Sequence, residues 1–210
     1  DTGLDEHCVD YIFIDPPFGD NIQYSEVNFI NEAWLDLSTD VENEAIVSNH
    51  QDKDDDAYSE LLFKAFNEFN RILKPNKFIT VAFHSSKAKH WRSVSSAWTK
   101  AGFAVVNTSV LNKEQGSLKQ VTTYSAVKGD SLILLARKSE VEQEKCETEI
   151  DPWKYVRDLI SNQKSKTDKQ SAYSAFVNYC LQHHVDQPAD SGEFFEWYAS
   201  FMAEKNFGGS

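Results

Sequence analysis

The residues best suited to chemistry are Asp15-Pro16-Pro17-Phe18, followed at once by Gly19. Neither proline has an N–H to give to a sheet, and Pro16 pushes Asp15 towards an extended conformation. The result is a stiff turn that presents one carboxylate and one aromatic ring. An exocyclic amine on a nucleobase is a poor nucleophile because its lone pair is delocalised into the ring. A carboxylate and a backbone carbonyl that accept its two hydrogens localise that lone pair. Asp15 and the Pro16 carbonyl are the acceptors, and Phe18 offers a face on which a base swung out of a duplex stacks. The plainer alternative is a Pro-Pro turn that merely closes a core strand.

The element that must carry this turn is Val9 to Ile14, a dense apolar run with β-branched and aromatic residues. It reads as a strand buried on both faces. The turn then lies at the carboxyl end of a strand, where ligands bind in open α/β sheets. Ser25 is positioned to cap a helix containing Val27, Phe29, Ile30, Ala33, Trp34 and Leu37. Residues 38–56 are polar and acidic and read as a surface loop, with Asp56 as the cap of the next helix. Its run of carboxylates is consecutive, unlike the alternating pattern of a calcium loop, and no metal role is expected.

Ala57 to Lys74 is the clearest helix, with Leu61, Leu62, Ala65, Phe66, Phe69, Ile72 and Leu73 along one face. Pro75 prevents its continuation. Lys77 to Phe83 reads as a second buried strand, ending at His84. A helix over Lys87 to Lys100 stops at Gly102. Phe103 to Leu111 and Ser131 to Ala136 are the third and fourth strands, separated by a polar excursion from Lys113 to Gly129. Strands alternating with helices predict an α/β fold with a parallel sheet and right-handed crossovers, the last two strands pairing as a hairpin.

Asp15-Pro16-Pro17-Phe18 resembles the Asp/Asn/Ser-Pro-Pro-Tyr/Phe/Trp motif of the S-adenosylmethionine-dependent amino-methyltransferases of DNA, which modify adenine N6 or cytosine N4. The fuller stretch DPPFGDNIQYSEVNFINEAWL resembles a bacterial site-specific group of these enzymes, of the restriction–modification kind. The resemblance covers about residues 5–138 and implies the second half of a class I, Rossmann-like methyltransferase sheet. That sheet runs from its fourth strand to its seventh, mostly parallel with an antiparallel last strand. It implies catalytic roles for Asp15, Pro16, Pro17 and Phe18, with S-adenosylmethionine as cofactor and Asp15 touching only part of its site. DNA is the implied partner, and adenine N6 is favoured over cytosine N4 by the resemblance alone. Tyr24 is a further candidate contact to the base or DNA, although a tyrosine packing its own loop reads equally well. His84, at a strand end, is another candidate substrate contact, although a histidine simply hydrogen-bonded at a strand end is the plainer reading. Gln115 to Thr123 also resembles the bacterial group, and Ser117 and Lys119 suit a phosphate. The glycine-rich loop that cradles the cofactor in this family has no counterpart, since no G-x-G occurs in the chain. The chain begins at Asp1 and is expected to belong to something longer. The missing half of the enzyme or a partner chain would then pair along the 9–14 edge, as would a second copy.

Composition sets bounds on these readings. The chain has 210 residues, of which 40% are hydrophobic, enough for a core, and no apolar run spans a membrane. Cys8, Cys146 and Cys180 are scattered and fit neither a disulfide framework nor a zinc site, which points to a reducing, cytoplasmic setting. The net charge of −12 argues against DNA binding by the whole surface. Its distribution is uneven: residues 1–60 carry 17 acids and one base, whereas residues 61–140 carry 4 acids and 13 bases. A phosphate-facing patch needs only local positive charge. The division expected is a methyltransferase half over residues 1–138, an acidic linker over 139–150 and a helical appendage over 151–210. The third helix of that appendage starts near Asp190 or Ser191, with Glu193 as a capping-box partner. Two other functions remain open: a catalytically incomplete module that serves binding or assembly, and a methyltransferase for RNA or protein.

Overall fold

The computed structural model describes residues 2–112, 129–141, 150–162 and 167–207. Four strands form one mixed sheet in the order β1-β2-β4-β3. They are β1 (Val9–Ile14), β2 (Leu73–Phe83), β3 (Phe103–Asn112) and β4 (Gly129–Arg137). β2 pairs parallel with β1 and antiparallel with β4, and β3 also pairs antiparallel with β4. Three strands therefore run one way, and only the last strand runs against them. The protein has the α/β class expected, with β4 inserted between β2 and β3. The β3–β4 hairpin forms as expected, and β4 lies between the crossover strands β2 and β3.

Between β1 and β2 come two short helices, α1 (Tyr24–Val27) and α2 (Phe29–Leu35), and the long α3 (Asp55–Ile72). α4 (Ala88–Lys100) joins β2 to β3. Three further helices follow β4: α5 (Pro152–Asn162), α6 (Lys169–Gln182) and α7 (Ser191–Phe207). α3 packs on α4, and α6 lies over β3 and β4. A single apolar core runs through Phe66, Val81, Phe83, Trp98 and Phe103 into Val156, Phe176 and Phe194. Asp190 joins the last helix to the rest: its carboxylate accepts from the Ala88 N–H at the start of α4, and its own N–H is taken by Glu193 at 3.0 Å. That bond from Glu193 back to the residue before the helix is the half of a capping box expected from sequence. Among the described residues no helix is long and apolar enough to cross a membrane.

Several expectations are corrected. β1 is an edge strand, and it is buried on one face only. Ile12 is in the core, but Tyr11 and Phe13, which point the other way, are 54% and 59% exposed. An apolar run records what a strand can cover, and nothing among the described residues lies over this face. The cap of α3 is Asp54, whose side chain accepts from the Ala57 N–H at 2.8 Å, not Asp56. In a run of three acids, the one with extended backbone takes that role. α3 ends at Ile72, before Pro75. Lys74 is therefore in β2, where it pairs with Asp10 at 2.8 Å. Pro75 and Asn76, the latter at φ 56°, sit where the register jumps from Val9↔Leu73 to Tyr11↔Phe78. Such an irregularity tolerates a residue without an N–H. Ser25 is inside α1, whose cap position is Gln23, and the expected single helix breaks at Asn28. None of its apolar residues is buried, and Trp34 is 86% exposed.

The junction between α3 and β2 is held by Arg137, the last residue of β4. Its guanidinium donates to the carbonyls of Asn70 (2.7 Å), Lys74 (2.9 Å) and Leu73, and to Asn70 Oδ1 (2.8 Å). A fixed cation on the last carbonyls of a helix satisfies orphan acceptors and complements the dipole. Lys53, also buried, does similar work in the acidic loop by donating to the carbonyls of Val41 and Glu44.

Candidate active site

The sheet delivers Asp15 to Gly19 at the carboxyl end of β1, beside the end of β2. Asp15 is exposed, Pro16 and Gly19 are buried, and Phe18 is half-buried. The turn thus sinks part of its backbone while Asp15 stays accessible. Helices α3 and α4 hold it from below.

From α3, the Tyr58 hydroxyl donates to the Pro17 carbonyl. Tyr58 is fully buried, and burial pushes its phenol well above the ordinary range, so it remains a donor. From α4, His90 occupies the space beside Gly19. Gly19 has φ +67°, and a Cβ there would lie 2.4 Å from Cε1 of His90. This glycine is required twice, by its left-handed backbone and by the imidazole against it.

His90 is 1% exposed, with Nδ1 3.1 Å from Ser85 Oγ. Ser85 Oγ also accepts from the Lys87 N–H at 3.1 Å. Nε2 faces Asp55 Oδ1 at 3.6 Å and Asp20 Oδ1 at 4.0 Å. Burial pushes the imidazole pKa down, against the pull of Asp20 and the smaller pull of Asp55, with Lys87 and Lys89 adding to the fall. Lys87 pairs with Asp20, and Lys89 pairs with Asp55 at 2.7 Å. Burial opposes ionisation of Asp20, but the Lys87 ammonium outweighs it and holds that carboxyl below its usual range.

Phe18 packs edge-on against Phe83 with ring centroids 5.2 Å apart, and tilted against His84 at 4.3 Å. His84 Nδ1 lies 2.7 Å from Asp130 Oδ1 on β4. Tyr24 is half-exposed, and its phenol is raised first by burial and then by the charge of Asp15, which puts the two within electrostatic reach. The structure therefore brings Asp15, Phe18, Tyr24 and His84 to one edge of the sheet. Ser117 and Lys119 lie outside the described residues.

Sequence reasoning missed Tyr58, His90, Lys87 and Asp130. A histidine among the polar residues of an amphipathic helix carries no periodic signal, and Asp130 meets His84 only through strand order. The one usable signal is Gly19, whose need for a glycine implies a close neighbour. A cleft of about 570 Å³ between α4, β3 and α6 is lined by Trp98, Lys100, Val177 and His184, and by none of the turn residues. It lies away from the sheet edge that carries the turn. Among the described residues no group of histidine, cysteine and acidic side chains is arranged to hold a metal.

A nucleoside cofactor needs backbone free of side chains to lie against. Gly19 is filled by His90, and Gly102 (φ +87°) lies against Asn70, whose Nδ2 would be 3.2 Å from a Cβ. Neither glycine forms a cradle, and the described residues do not fit the bulk of such a group.

A DNA methylase family of the N6/N4 type matches residues 9–204. No protein of curated function matches the chain. Among solved structures, a putative DNA modification methylase from Thermus thermophilus aligns with TM-score 0.37 and 13% identity, over 69% of this chain and 52% of that one. The chain thus spans about half the length of that relative. The M1.HpyAVI–SAM complex aligns with TM-score 0.35 and 11% identity, over 82% of this chain and 78% of that one.

Proposed function

Because the chain belongs to the N6/N4 DNA methylase family, we propose that it carries the catalytic turn of a site-specific DNA amino-methyltransferase, acting on adenine N6 of an extruded base. Asp15 and the Pro16 carbonyl accept the two amine hydrogens, and Phe18 stacks on the base. The observation that carries this reading is the turn itself. Tyr58 and His90 fix its backbone, while Asp15 is an exposed residue at the sheet edge. Preorganised acceptors of this kind need no rearrangement when the amine begins to react. Tyr24 and His84 flank the base.

S-adenosylmethionine supplies the methyl group in the complete enzyme. Its cradle is contributed by polypeptide that continues the sheet past β1. The open edge of β1 and the bare faces of Tyr11 and Phe13 support this docking. The reading places the enzyme in the cytoplasm. The absence of any G-x-G favours a second reading, a methyltransferase-like binding module.

Labelled S-adenosylmethionine and unmethylated DNA separate the two when supplied to the complete enzyme. Asp15→Ala lowers the single-turnover rate at saturating DNA by about two orders of magnitude. Phe18→Ala instead raises the DNA concentration needed, since stacking is worth about 1–3 kcal/mol. Methylation by Asp15→Ala at the parental rate assigns the turn to structure and selects the binding module.

A further inference from the structure

The Phe18 ring has to stand at one angle if it is to receive a base, and the turn alone does not set that angle. We propose that Asp130 and His84 form a two-residue support for the Phe18 ring, which makes Asp130, on the neighbouring strand β4, a positioning residue for base stacking. The inference rests on the reading of Phe18 as the stacking platform.

Three observations carry it. First, Phe18 touches both Phe83, the last residue of β2, and His84, the next. The ring therefore lies across the end of β2, with Phe83 at one side and the imidazole at another. Second, strand register brings the carboxylate to the imidazole. β2 and β4 pair antiparallel with Phe83 opposite Ser131, and one more step sets His84 opposite Asp130. Third, the contact is sheltered. His84 Nδ1 and Asp130 Oδ1 lie 2.7 Å apart, both closed off from solvent, with the side chains 21% and 11% exposed. The carboxylate stands against the edge of the imidazole at ion-pair distance, so the ring cannot swing towards β4 and leaves a sheltered contact if it swings away.

The imidazole is thus held in one plane from the side of β4, and its face sets the tilt of Phe18. The same arrangement explains why a histidine serves here. A phenylalanine would offer a face but nothing for Asp130 to hold, and an asparagine would offer a donor but no face.

The support is tested in the full chain by NMR of the Phe18 ring, assigned with Phe18→Leu. Asp130→Ala and His84→Phe are each expected to move the Phe18 ring resonances, with the melting transition retained. Asp130→Asn keeps the shape of the side chain and an oxygen beside Nδ1 and is expected to leave them in place. Unchanged Phe18 resonances in both Asp130→Ala and His84→Phe would overturn the proposal. If Asp130→Ala does not fold, His84→Phe decides alone. In the complete enzyme, Asp130→Ala should raise the DNA concentration for half-maximal methylation by about tenfold, with the rate at saturating DNA within about twofold of the parent. A fall in that rate with no change in the DNA requirement also overturns it. If the parent enzyme does not methylate DNA, the proposed function fails, while the NMR measurement still decides whether the support exists.

Discussion

Gly19 and His90 fill one another's space: the missing Cβ of the glycine is where the imidazole lies, 2.4 Å from Cε1. Gly19→Ala adds a methyl group to a left-handed residue and drives it into a buried ring. The backbone cost is about 1–2 kcal/mol, and overpacking adds about 1–3 kcal/mol. Adding His90→Ala should restore part of the loss. Chemical denaturation of the two single variants and the double variant reads this as a coupling of about 1 kcal/mol or more. Simple additivity would show that the ring and the glycine do not constrain each other.

Tyr58→Phe removes the donor to the Pro17 carbonyl and leaves the aromatic volume in place. The expected cost is about 1–2 kcal/mol of stability, that of one unsatisfied acceptor. Methylation by the complete enzyme should fall further than stability accounts for, because the carbonyl belongs to the turn that presents Asp15. A rate equal to the parent at a temperature where both are folded would count against the anchor.

His90 gives stability a pH dependence with a definite sign. Its folded pKa lies below the ordinary 6.5, chiefly through burial. Below that ordinary value the unfolded chain takes up a proton that the folded chain resists. Stability is therefore full above pH of about 6.5 and falls as pH drops from there towards the lowered folded value. His90→Gln cannot titrate. Melting temperatures at pH of about 7.5 and 5.5 should show a larger drop for the parent than for the variant. Equal drops would mean that His90 is not held neutral.

Arg137→Met leaves the carbonyls of Asn70, Leu73 and Lys74 without their cation. The expected loss is about 3 kcal/mol, from several carbonyls left poorly satisfied. Arg137→Lys should recover less than half, since one ammonium does not span the fork of contacts that a guanidinium makes. Denaturant midpoints of the three proteins measure this directly.

Much of this is legible in the sequence, and the reasons are physical. Phe66 and Val94 fall on apolar stripes, and Val81 and Ile133 on short apolar runs, so element type and rough extent follow from period alone. The Asp15–Phe18 turn is legible because prolines and a glycine restrict the backbone wherever they occur. What stays hidden depends on contacts between distant parts of the chain. Asp130 reaches His84 because β4 inserts beside β2, and hairpin pairing with β3 does not determine which strand lies on its other side. Tyr58 and His90 occupy helix positions where a core residue would read the same. The exposure of Tyr11 and Phe13 escapes the sequence because hydrophobicity states a residue's preference, while its burial depends on what else is present.

The two short helices that follow the Asp15–Phe18 turn bury none of their residues. Four and seven residues are too few to hold helical hydrogen bonds by themselves in water. Local opening of residues 24–35 therefore costs little beyond its own helical bonds and those that tie Ser25 to Glu44 and Glu32 to Thr39, whereas opening β2 breaks pairing on both of its sides. The amides of this segment exchange with solvent deuterium long before those of Val81 or Ala82. Among the described residues, a protease offered the native protein finds its first scissile bond there, a short distance past Asp15, and cuts before the sheet gives way.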